Sequence, residues 1–277
     1  MDRELAASGS GGAGYYPIQV PFLLNPVFKR NFSYREAVVP ELAQFAICGW
    51  EIEPAVRPNE TVENVIVPDA CVDLLADTGN GLVGFAGMKR TEFHFPLPAG
   101  SSSFGFRLRP GAFHVLTGLS ADRAMDGFVP LVSLDPGFDA LSFAGLSADR
   151  QKLALRERLS ALAAGRQPSR FMTLFDQLHT WPPGQVGDVC AALSYSPKQC
   201  QRLFVQNFGL TPKTVLGVLR FQRALAALTR PGAKAGQALS VEGYYDQPHL
   251  IKDVKRSLGL TPTELIRSCL QDDEFLQ

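Results

Sequence analysis

Hydrophobic and polar positions follow two different periods along the chain. Up to about residue 140, short runs rich in Phe and Val alternate with turns such as T-G-N-G, P-L-P-A-G and R-P-G. These runs predict β-strands at residues 44–52, 63–67, 71–76, 82–87, 91–95 and 103–108. Many short strands separated by Gly/Pro turns favour a sandwich or a small barrel. One helix is expected within this half, after Pro110, through A-F-H-V-L.

Near residue 147 the spacing of the hydrophobic residues changes to that of a helix. A polar opening leads into leucines that include Leu155, Leu159 and Leu162, and a glycine follows them. This spacing predicts an amphipathic helix. A second helix is expected after Pro168, and it stops at W-P-P-G, residues 181–184. This stop is the strongest boundary in the chain, and the residues beyond it have a helical pattern to about residue 268.

A repeat with a period of fifty residues organises the C-terminal part. The letters G-L-T-P occupy residues 209–212 and again residues 259–262. Thirteen residues before each glycine stands a residue suited to begin a helix, Ser196 in the first copy and Asp246 in the second. A serine followed directly by a proline is a favourable N-cap and first helical residue. Each copy therefore predicts a helix between that residue and its glycine.

The first of these helices is amphipathic. At about 100° per residue, Cys200, Phe204 and Phe208 fall on one face, whereas Lys198 and Arg202 fall on the other. A preceding amphipathic stretch, residues 185–193, ends at the short turn S-Y-S. Two short helices joined by about three residues form a helix-turn-helix. Its second helix here presents a polar and cationic ridge.

The second copy repeats this arrangement. Leu250, Val254 and Leu258 form its expected buried face, and Lys252 and Lys255 point away from that face. Between the copies, residues 213–229 have the pattern of one long helix, which spans roughly 25 Å at 1.5 Å per residue. With its flanking turns, this helix could hold two recognition helices about one DNA turn apart, ~34 Å, on one face of the duplex.

The distribution of charge favours an anionic target for the C-terminal part. The whole chain has 27 Lys and Arg and 27 Asp and Glu. From residue 183 onward there are eleven basic and eight acidic residues, and three of those acids lie in the last six positions. Without that tail the segment carries a net charge of +6, whereas residues 1–182 carry −3. A basic domain beside an acidic one is typical of an anion-binding part; a chance asymmetry of the surface is the alternative.

Composition narrows the class of protein. With 45% hydrophobic and 19% charged residues, the chain can bury a core, and no apolar run is long enough to span a bilayer. The N-terminus lacks the order of a signal peptide, and its Gly/Ser-rich residues predict a flexible tail at 1–14. The five cysteines include no C-x-x-C pair. Scattered, buried thiols without a secretion signal are typical of a cytoplasmic protein.

The C-terminal motifs resemble a known family. Q-R-L-F, G-L-T-P and L-R-F-Q-R-A-L, followed by G-Y-Y-D-Q-P-H-L-I-K-D-V and G-L-T-P-T-E-L, are similar to the AraC/XylS class of bacterial transcription regulators over residues 186–267. The resemblance implies two helix-turn-helix motifs on a seven-helix domain that binds double-stranded DNA. It also implies activation or repression through contact with RNA polymerase, and a homodimer is compatible with it. The expected DNA-binding residues are Ser196, Lys198, Gln199, Gln201, Arg202, Gln247, Pro248, His249, Lys252 and Lys255.

Two departures from the family pattern bear on these motifs. Ser194 stands where the family often has glycine in the first turn. The first helix of the second motif should lie in residues 234–241, which contain Gly236 and few large apolar residues. Glycine costs about 1 kcal/mol relative to alanine inside a helix. We therefore expect the second motif to discriminate less between DNA sequences than the first, and to hold phosphates as much as bases.

The first half also resembles a region found on such regulators, through V-P-D-A-C-V-D-L-L and F-R-L-R-P-G-A-F. That likeness implies no particular chemistry. Arg107 and Arg109, two apart on a strand, are compatible with a carboxylate clamp or with a solvated edge. Asp69 and Asp73 are compatible with acid–base pairing, or with a turn and a hydrogen-bonded side chain. Candidates for a ligand site, each with a structural role as the alternative, are Trp50, Phe85, His94 and Arg107.

The sequence thus predicts an α+β protein. We expect a flexible tail (1–14), a β-rich, barrel- or sandwich-like sensor domain (15–146), a helical connector (147–182) and an all-α double helix-turn-helix domain (183–277). The expected function is sequence-specific, DNA-binding transcription regulation, with a small molecule or partner sensed by the N-terminal domain. No enzyme activity, cofactor, metal or membrane contact is expected. Two alternatives remain, an N-terminal barrel enzyme fused to a DNA-binding domain and a ligand-independent architectural or co-regulator protein.

Overall fold

A computed structural model describes residues 14–19, 26–54, 61–88, 93–180, 183–230, 232–234 and 243–274. Within these ranges a β-rich N-terminal half is followed by an entirely helical C-terminal half, so the α+β prediction is confirmed. The expected flexible tail lies outside the described residues, except for Gly14. The strands are β1 (Phe32–Ala37), β2 (Ala46–Pro54), β3 (Val62–Ile66), β4 (Val72–Asp77), β5 (Leu82–Gly87), β6 (Phe93–Leu97), β7 (Ser103–Leu108) and β8 (Phe128–Pro130).

Six of the strands form one antiparallel sheet in the order β1-β2-β7-β4-β5-β8, and β3 pairs with β6 in a separate ribbon. β5 and β7 have the predicted bounds, and the other four predicted strands are displaced by one or two residues. The sequence prediction missed β1 and β8. β1 is an edge strand whose F-S-Y-R-E-A sequence carries two charges, and β8 has only three residues. Both lack the apolar run by which the other strands were identified.

Strand register puts two kinds of side chain on the two faces of the sheet. Leu74 and Phe85 point to the face covered by helices, where they are completely buried. Asp73 and Arg107 are directly opposed between β4 and β7, and they point to the other face. That face is covered in part by a small apolar cluster of α1 (Pro26–Asn31) with β3 and β6. The charged cluster of the N-terminal half therefore lies on the side away from its main core.

The helices follow the predicted pattern where the structure describes them. The predicted helices after Pro110, after residue 147 and after Pro168 are all present. The predicted first helix of the second motif, residues 234–241, lies outside the described part except for Lys234. No described helix is both long and apolar enough to cross a membrane. The helices after α1 are α2 (Ala112–Thr117), α3 (Ala140–Ala144), α4 (Ala148–Ala163), α5 (Arg170–Thr180), α6 (Val186–Ala192), α7 (Pro197–Phe208), α8 (Pro212–Leu228), α9 (Gln247–Leu258) and α10 (Pro262–Glu274).

An aromatic stack joins the expected connector to the first helix-turn-helix. Phe171 of α5 meets Phe204 of α7 edge to face, with ring centroids 6.5 Å apart, and Phe175 meets Phe208 at 5.3 Å. All four rings are buried. Such contacts add to the free energy gained from burial alone. The domain boundary expected at residue 183 remains a prediction, and these contacts favour a C-terminal unit that begins with α5.

Candidate nucleic-acid interface

Side-chain caps begin both recognition helices where the sequence predicts them. The Gln199 backbone N–H donates to Ser196 Oγ at 3.4 Å, and the Ser196 N–H donates back to Gln199 Oε1 at 3.1 Å, which completes a capping box. In the second copy the His249 N–H donates to Asp246 Oδ1 at 2.9 Å. Ser196 and Gln199 are thus engaged in holding the start of α7, and both are exposed there.

Glycines end both helices in the same way. Gly209 has φ +69° and Gly259 has φ +70°, and each donates its N–H to a carbonyl four residues earlier. This left-handed conformation carries little steric cost only for glycine. The fifty-residue repeat of the sequence is therefore a repeat of two capped helices of twelve residues each.

The first recognition helix exposes the residues expected to face DNA. Cys200 and Phe204 are completely buried, in agreement with the predicted apolar face. Lys198, Gln201 and Arg202 are exposed on the other face. Arginine and lysine suit guanine edges and phosphates, and glutamine suits adenine edges. The exposed face therefore has the chemistry of major-groove recognition.

The second predicted recognition helix exposes a basic face with few of the residues expected to read bases. Gln247 and Pro248 are exposed at its start, and Lys252 and Lys255 are exposed along it. His249 is only half-buried, and its ring meets that of Tyr244 at 5.2 Å. Leu250, Val254 and Leu258 are buried as predicted. Arg256 is also exposed, in the next turn, where it donates to the Asp253 carboxylate.

The turn of the first motif is built on a left-handed serine. Ser194 has φ +56°, and its N–H donates to the Ala191 carbonyl at 3.0 Å. The Tyr195 N–H donates to the Cys190 carbonyl, also at 3.0 Å. This pair of bonds forms a Schellman motif, whose left-handed position favours glycine. The departure at Ser194 therefore places a side chain in a conformation that costs free energy.

The N-terminal half packs on the far end of the first recognition helix. The side chains of Gln206 and His114 are joined by a 3.2 Å contact between Nε2 atoms. Gly209 lies so close to Met125 and Ala121 that an added Cβ would stand 2.3 Å from Met125 Cγ and 2.8 Å from the Ala121 carbonyl oxygen. The basic end of α7 remains exposed. One helix thus carries both the residues expected to face DNA and the interdomain contact.

The central helix α8, seventeen residues long, also meets the N-terminal half. Gln222 is buried on α8, where its Oε1 accepts from the Ile18 N–H at 2.8 Å and its Nε2 donates to the Pro68 carbonyl at 2.8 Å. Both partners are backbone groups of the N-terminal half. The helix between the two motifs is therefore hydrogen-bonded to the β-rich domain through the buried side chain of Gln222.

Of the four residues proposed for a ligand site, the three whose side chains are described do not form one site. Trp50 and Arg107 share the face of the sheet that bears the charged cluster. Phe85 is completely buried on the opposite face, edge to face with Phe113 at 5.3 Å. His94 lies in β6, paired with Val65, but its side chain is outside the described part of the structure.

Arg107 is a buried ion-pair partner, so the expected solvated edge is wrong for this residue. It is 4% exposed, and its Nη1 is 2.6 Å from Glu36 Oε1. Its Nε lies 3.6 Å from Asp69 and 3.7 Å from Asp73. The two resembling motifs, V-P-D-A-C-V-D and F-R-L-R, therefore meet here. Arg107 holds carboxylates of its own chain.

Burial and charge set the ionisation of this cluster. Burial raises the pKa of Asp73 to about 7, although Arg107 opposes the shift. Burial also raises the pKa of Asp69, whose Oδ1 accepts from the Cys71 N–H at 2.9 Å, as in the predicted turn. Burial raises the pKa of Glu36 less than Arg107 and two tyrosine hydroxyls together lower it, so the pKa of Glu36 falls below its usual value. The Arg107 guanidinium thus lies beside three carboxyl groups, and their pKa values are shifted in different directions: down for Glu36 and up for Asp69 and Asp73.

Two family models match the chain. Residues 189–268 match a family described as "Helix-turn-helix domain", and residues 38–130 match a "Domain of unknown function (DUF6597)". The first match spans both recognition helices, and the second contains both motifs of the Arg107 cluster. No curated protein sequence matches the chain.

Several solved structures are similar to the chain at low identity. The C-terminal domain of the two-component response regulator yesN from Fusobacterium nucleatum is 19% identical over 35% of this chain and 99% of that chain, with a TM-score of 0.33. ToxT from Vibrio cholerae is 9% identical over 86% of this chain and 98% of that chain, with a TM-score of 0.39. ToxT bound to (E)-4-(8-methylnaphthalen-1-yl)but-3-enoic acid is 10% identical over 86% and 99%, with a TM-score of 0.38.

Proposed function

Since this chain belongs to the AraC/XylS family of DNA-binding transcription regulators, we propose that it recognises a specific operator with both helix-turn-helix motifs. Each recognition helix enters one of two successive major-groove segments on one face of the duplex. The observation that carries this proposal is the repeat itself. Two capped helices of equal length, each with an exposed basic face, are joined by one central helix.

In this proposal the exposed side chains divide into base readers and phosphate holders. Arg202 and Gln201 read base edges from α7, because a guanidinium pairs with guanine and an amide with adenine through two hydrogen bonds. Gln247 and His249 do so from α9. Phosphates are held by Lys198, Lys252 and Lys255, with Ser196, Gln199 and Pro248 close to the backbone at the helix starts. The phosphate contacts supply affinity and the base contacts supply specificity.

We further propose that the N-terminal half regulates this binding by sensing a small molecule or a protein partner. The support is the contact of that half with Gln206 of α7, with Gly209 directly after α7, and with Gln222 of α8. A change in the N-terminal half that displaced these groups would alter the first motif directly. Contact with RNA polymerase, a homodimeric state and action in the cytoplasm belong to the same proposal.

A selection experiment tests the DNA-binding proposal. The full-length protein would be used to enrich duplexes from a random library, and its affinity for the enriched site would be measured at several salt concentrations. We expect a two-part motif and an affinity that falls steeply with salt, by roughly 0.9 logarithmic units per phosphate contact for each tenfold increase. Arg202→Ala should cost about 1–3 kcal/mol on the selected site and little on random DNA.

A different result would assign the function elsewhere. If no motif is enriched, the specific-operator proposal is wrong. If Arg202→Ala weakens binding equally on selected and random DNA, Arg202 holds phosphate only. Native mass spectrometry of the protein purified from its own host would address the sensing proposal. A retained small molecule supports it, whereas an unliganded protein whose DNA binding ignores cell extract favours the architectural alternative.

A further inference from the structure

A buried carboxylate lies at the centre of the second motif. The Asp253 side chain, on α9, is only 3% exposed. In the fifty-residue repeat its equivalent on α7 is Leu203, which packs against the main apolar core. The two motifs therefore differ at one equivalent inward-facing position, where one has an apolar side chain and the other an acid. A buried acid is costly unless it is fully paired.

Three donors from separate positions pair this carboxylate. Arg220 Nη2, on the central helix α8, donates to Asp253 Oδ2 at 3.1 Å. The Tyr244 hydroxyl, from the turn before α9, donates to the same oxygen at 3.0 Å. Arg256, one turn further along α9, donates to the other oxygen, Oδ1. The central helix, the turn and the recognition helix thus meet at one side chain.

The turn before α9 is shaped to receive Arg220. The guanidinium of Arg220 lies over the Tyr244 ring, 5.1 Å from its centroid. Gly243 has φ +103°, and an added Cβ there would stand 2.9 Å from Arg220 Cδ. Only glycine satisfies both the backbone conformation and this close approach. The arginine is therefore held along its length as well as at its charged end.

We propose that Arg220, Tyr244 and Asp253 are the positioning residues of the second recognition helix, and that they set the half-site spacing that the protein accepts. This inference rests on the proposed function, in which both motifs bind DNA. The apolar contacts of Leu250 and Leu258 hold α9 against α8, but apolar attraction has no preferred direction. Paired hydrogen bonds to a carboxylate fix distance and angle together. The hydrogen bonds among Arg220, Tyr244 and Asp253 therefore define the direction of α9 relative to α8.

The geometry of DNA allows the positioning of α9 to be tested by binding measurements. One extra base pair between the half-sites moves the second half-site by about 3.4 Å and turns it by about 35°. A fixed helix cannot follow this displacement and loses its base contacts. A helix held only by apolar packing can rotate and recover some of them. Strictness of spacing is therefore the property that separates positioning from simple stabilisation.

The test uses full-length protein and the duplex enriched by selection, with zero or one base pair inserted between its two parts. Wild type should lose about tenfold or more in affinity on insertion, which corresponds to one lost bidentate contact. The double variant Arg220→Met/Asp253→Leu replaces the ion pair with apolar side chains and gives the second motif the leucine that the first motif has at the equivalent position. Apolar replacement of a buried ion pair is often neutral for stability. The double variant should remain folded, bind the first half-site alone like wild type, and lose less than about threefold on insertion.

Two further variants keep the test decisive. Arg256→Met removes a donor that is 59% exposed, and it should leave the spacing penalty unchanged, because a guanidinium that lies largely in water contributes little through its ion pair. If circular dichroism shows the double variant unfolded, Tyr244→Phe carries the test, since it removes one hydroxyl and should reduce the penalty severalfold. Folded variants that keep the full wild-type penalty would overturn the inference. A wild type without any spacing penalty would instead overturn the two-motif proposal beneath it.

Discussion

The glycines that end the two recognition helices allow the interdomain contact to be measured against an internal control. Gly209 and Gly259 have the same backbone conformation, with φ +69° and +70°. Gly209 is buried against Met125 and Ala121, whereas Gly259 is exposed. Alanine at either position introduces the same strain. Alanine at Gly209 also introduces a methyl group into the interface between the two halves of the chain.

The magnitudes differ enough to be resolved. A side chain in the left-handed region costs about 1–2 kcal/mol, which is the whole loss expected for Gly259→Ala. At Gly209 the new Cβ would stand 2.3 Å from Met125 Cγ, which can move, and 2.8 Å from the Ala121 carbonyl oxygen, which belongs to the backbone. Overpacking of this kind costs about a further 1–3 kcal/mol. We therefore expect Gly209→Ala to lose about 2–5 kcal/mol in all.

Urea unfolding of full-length variants, followed by circular dichroism, measures these losses. Adding Met125→Ala to Gly209→Ala should recover part of the excess, and the resulting double-mutant cycle isolates the contact between the two positions. Met125→Ala alone corrects for the cavity that the smaller side chain leaves. Equal losses for Gly209→Ala and Gly259→Ala would refute the reasoning, because they would show that the N-terminal half does not press on the end of α7.

Three other predictions follow from single features of the structure. Ser194→Gly should raise the free energy of unfolding by about 0.5–1 kcal/mol, since the residue has φ +56°; a Tm equal to or below that of wild type would contradict this. Asp73→Asn should stabilise the protein by about 1–3 kcal/mol at pH 8 and hardly at all at pH 4, as measured by urea titration at both values. The sign follows because the raised pKa of about 7 favours the protonated form in the folded state, so its stabilising contribution is lost as pH rises through that value. A fragment of residues 167–277 should unfold at a higher temperature than one of residues 183–277, because only the longer one supplies Phe171 and Phe175 to cover Phe204 and Phe208; equal melting temperatures would restore the boundary at residue 183.

Local signals in the sequence were sufficient to predict where the two recognition helices begin and end. Ser196 and Asp246 are N-caps because their side chains satisfy nearby backbone N–H groups, and this interaction involves residues only three apart. The glycines after each helix are equally local. Such features depend on the immediate neighbours of a residue, so a reader of one sequence can identify them.

The charged cluster could not be derived in this way. Arg107 has the alternation of an ordinary strand residue, and its burial depends on Glu36, Asp69 and Asp73, which arrive from separate parts of the chain. Pairing of β1 with β2 brings Glu36 into reach, and β1 was the strand that the sequence analysis missed. The contacts of Gln206 and Gln222 with the N-terminal half have the same cause. They depend on how the two halves of the chain meet.

The buried amide of Gln222 has a consequence for how such a gene can be recombined. Its two bonds go to main-chain groups at Ile18 and Pro68, and each of these depends on the local path of the N-terminal half. A chimera that joined this N-terminal half to a C-terminal half without glutamine at this position would leave those two groups without their side-chain partner. Both halves of such a chimera could fold, but the two hydrogen bonds that Gln222 makes between them would be lost. We therefore expect an exchange of either half to preserve the interdomain contact only where glutamine is kept at this position.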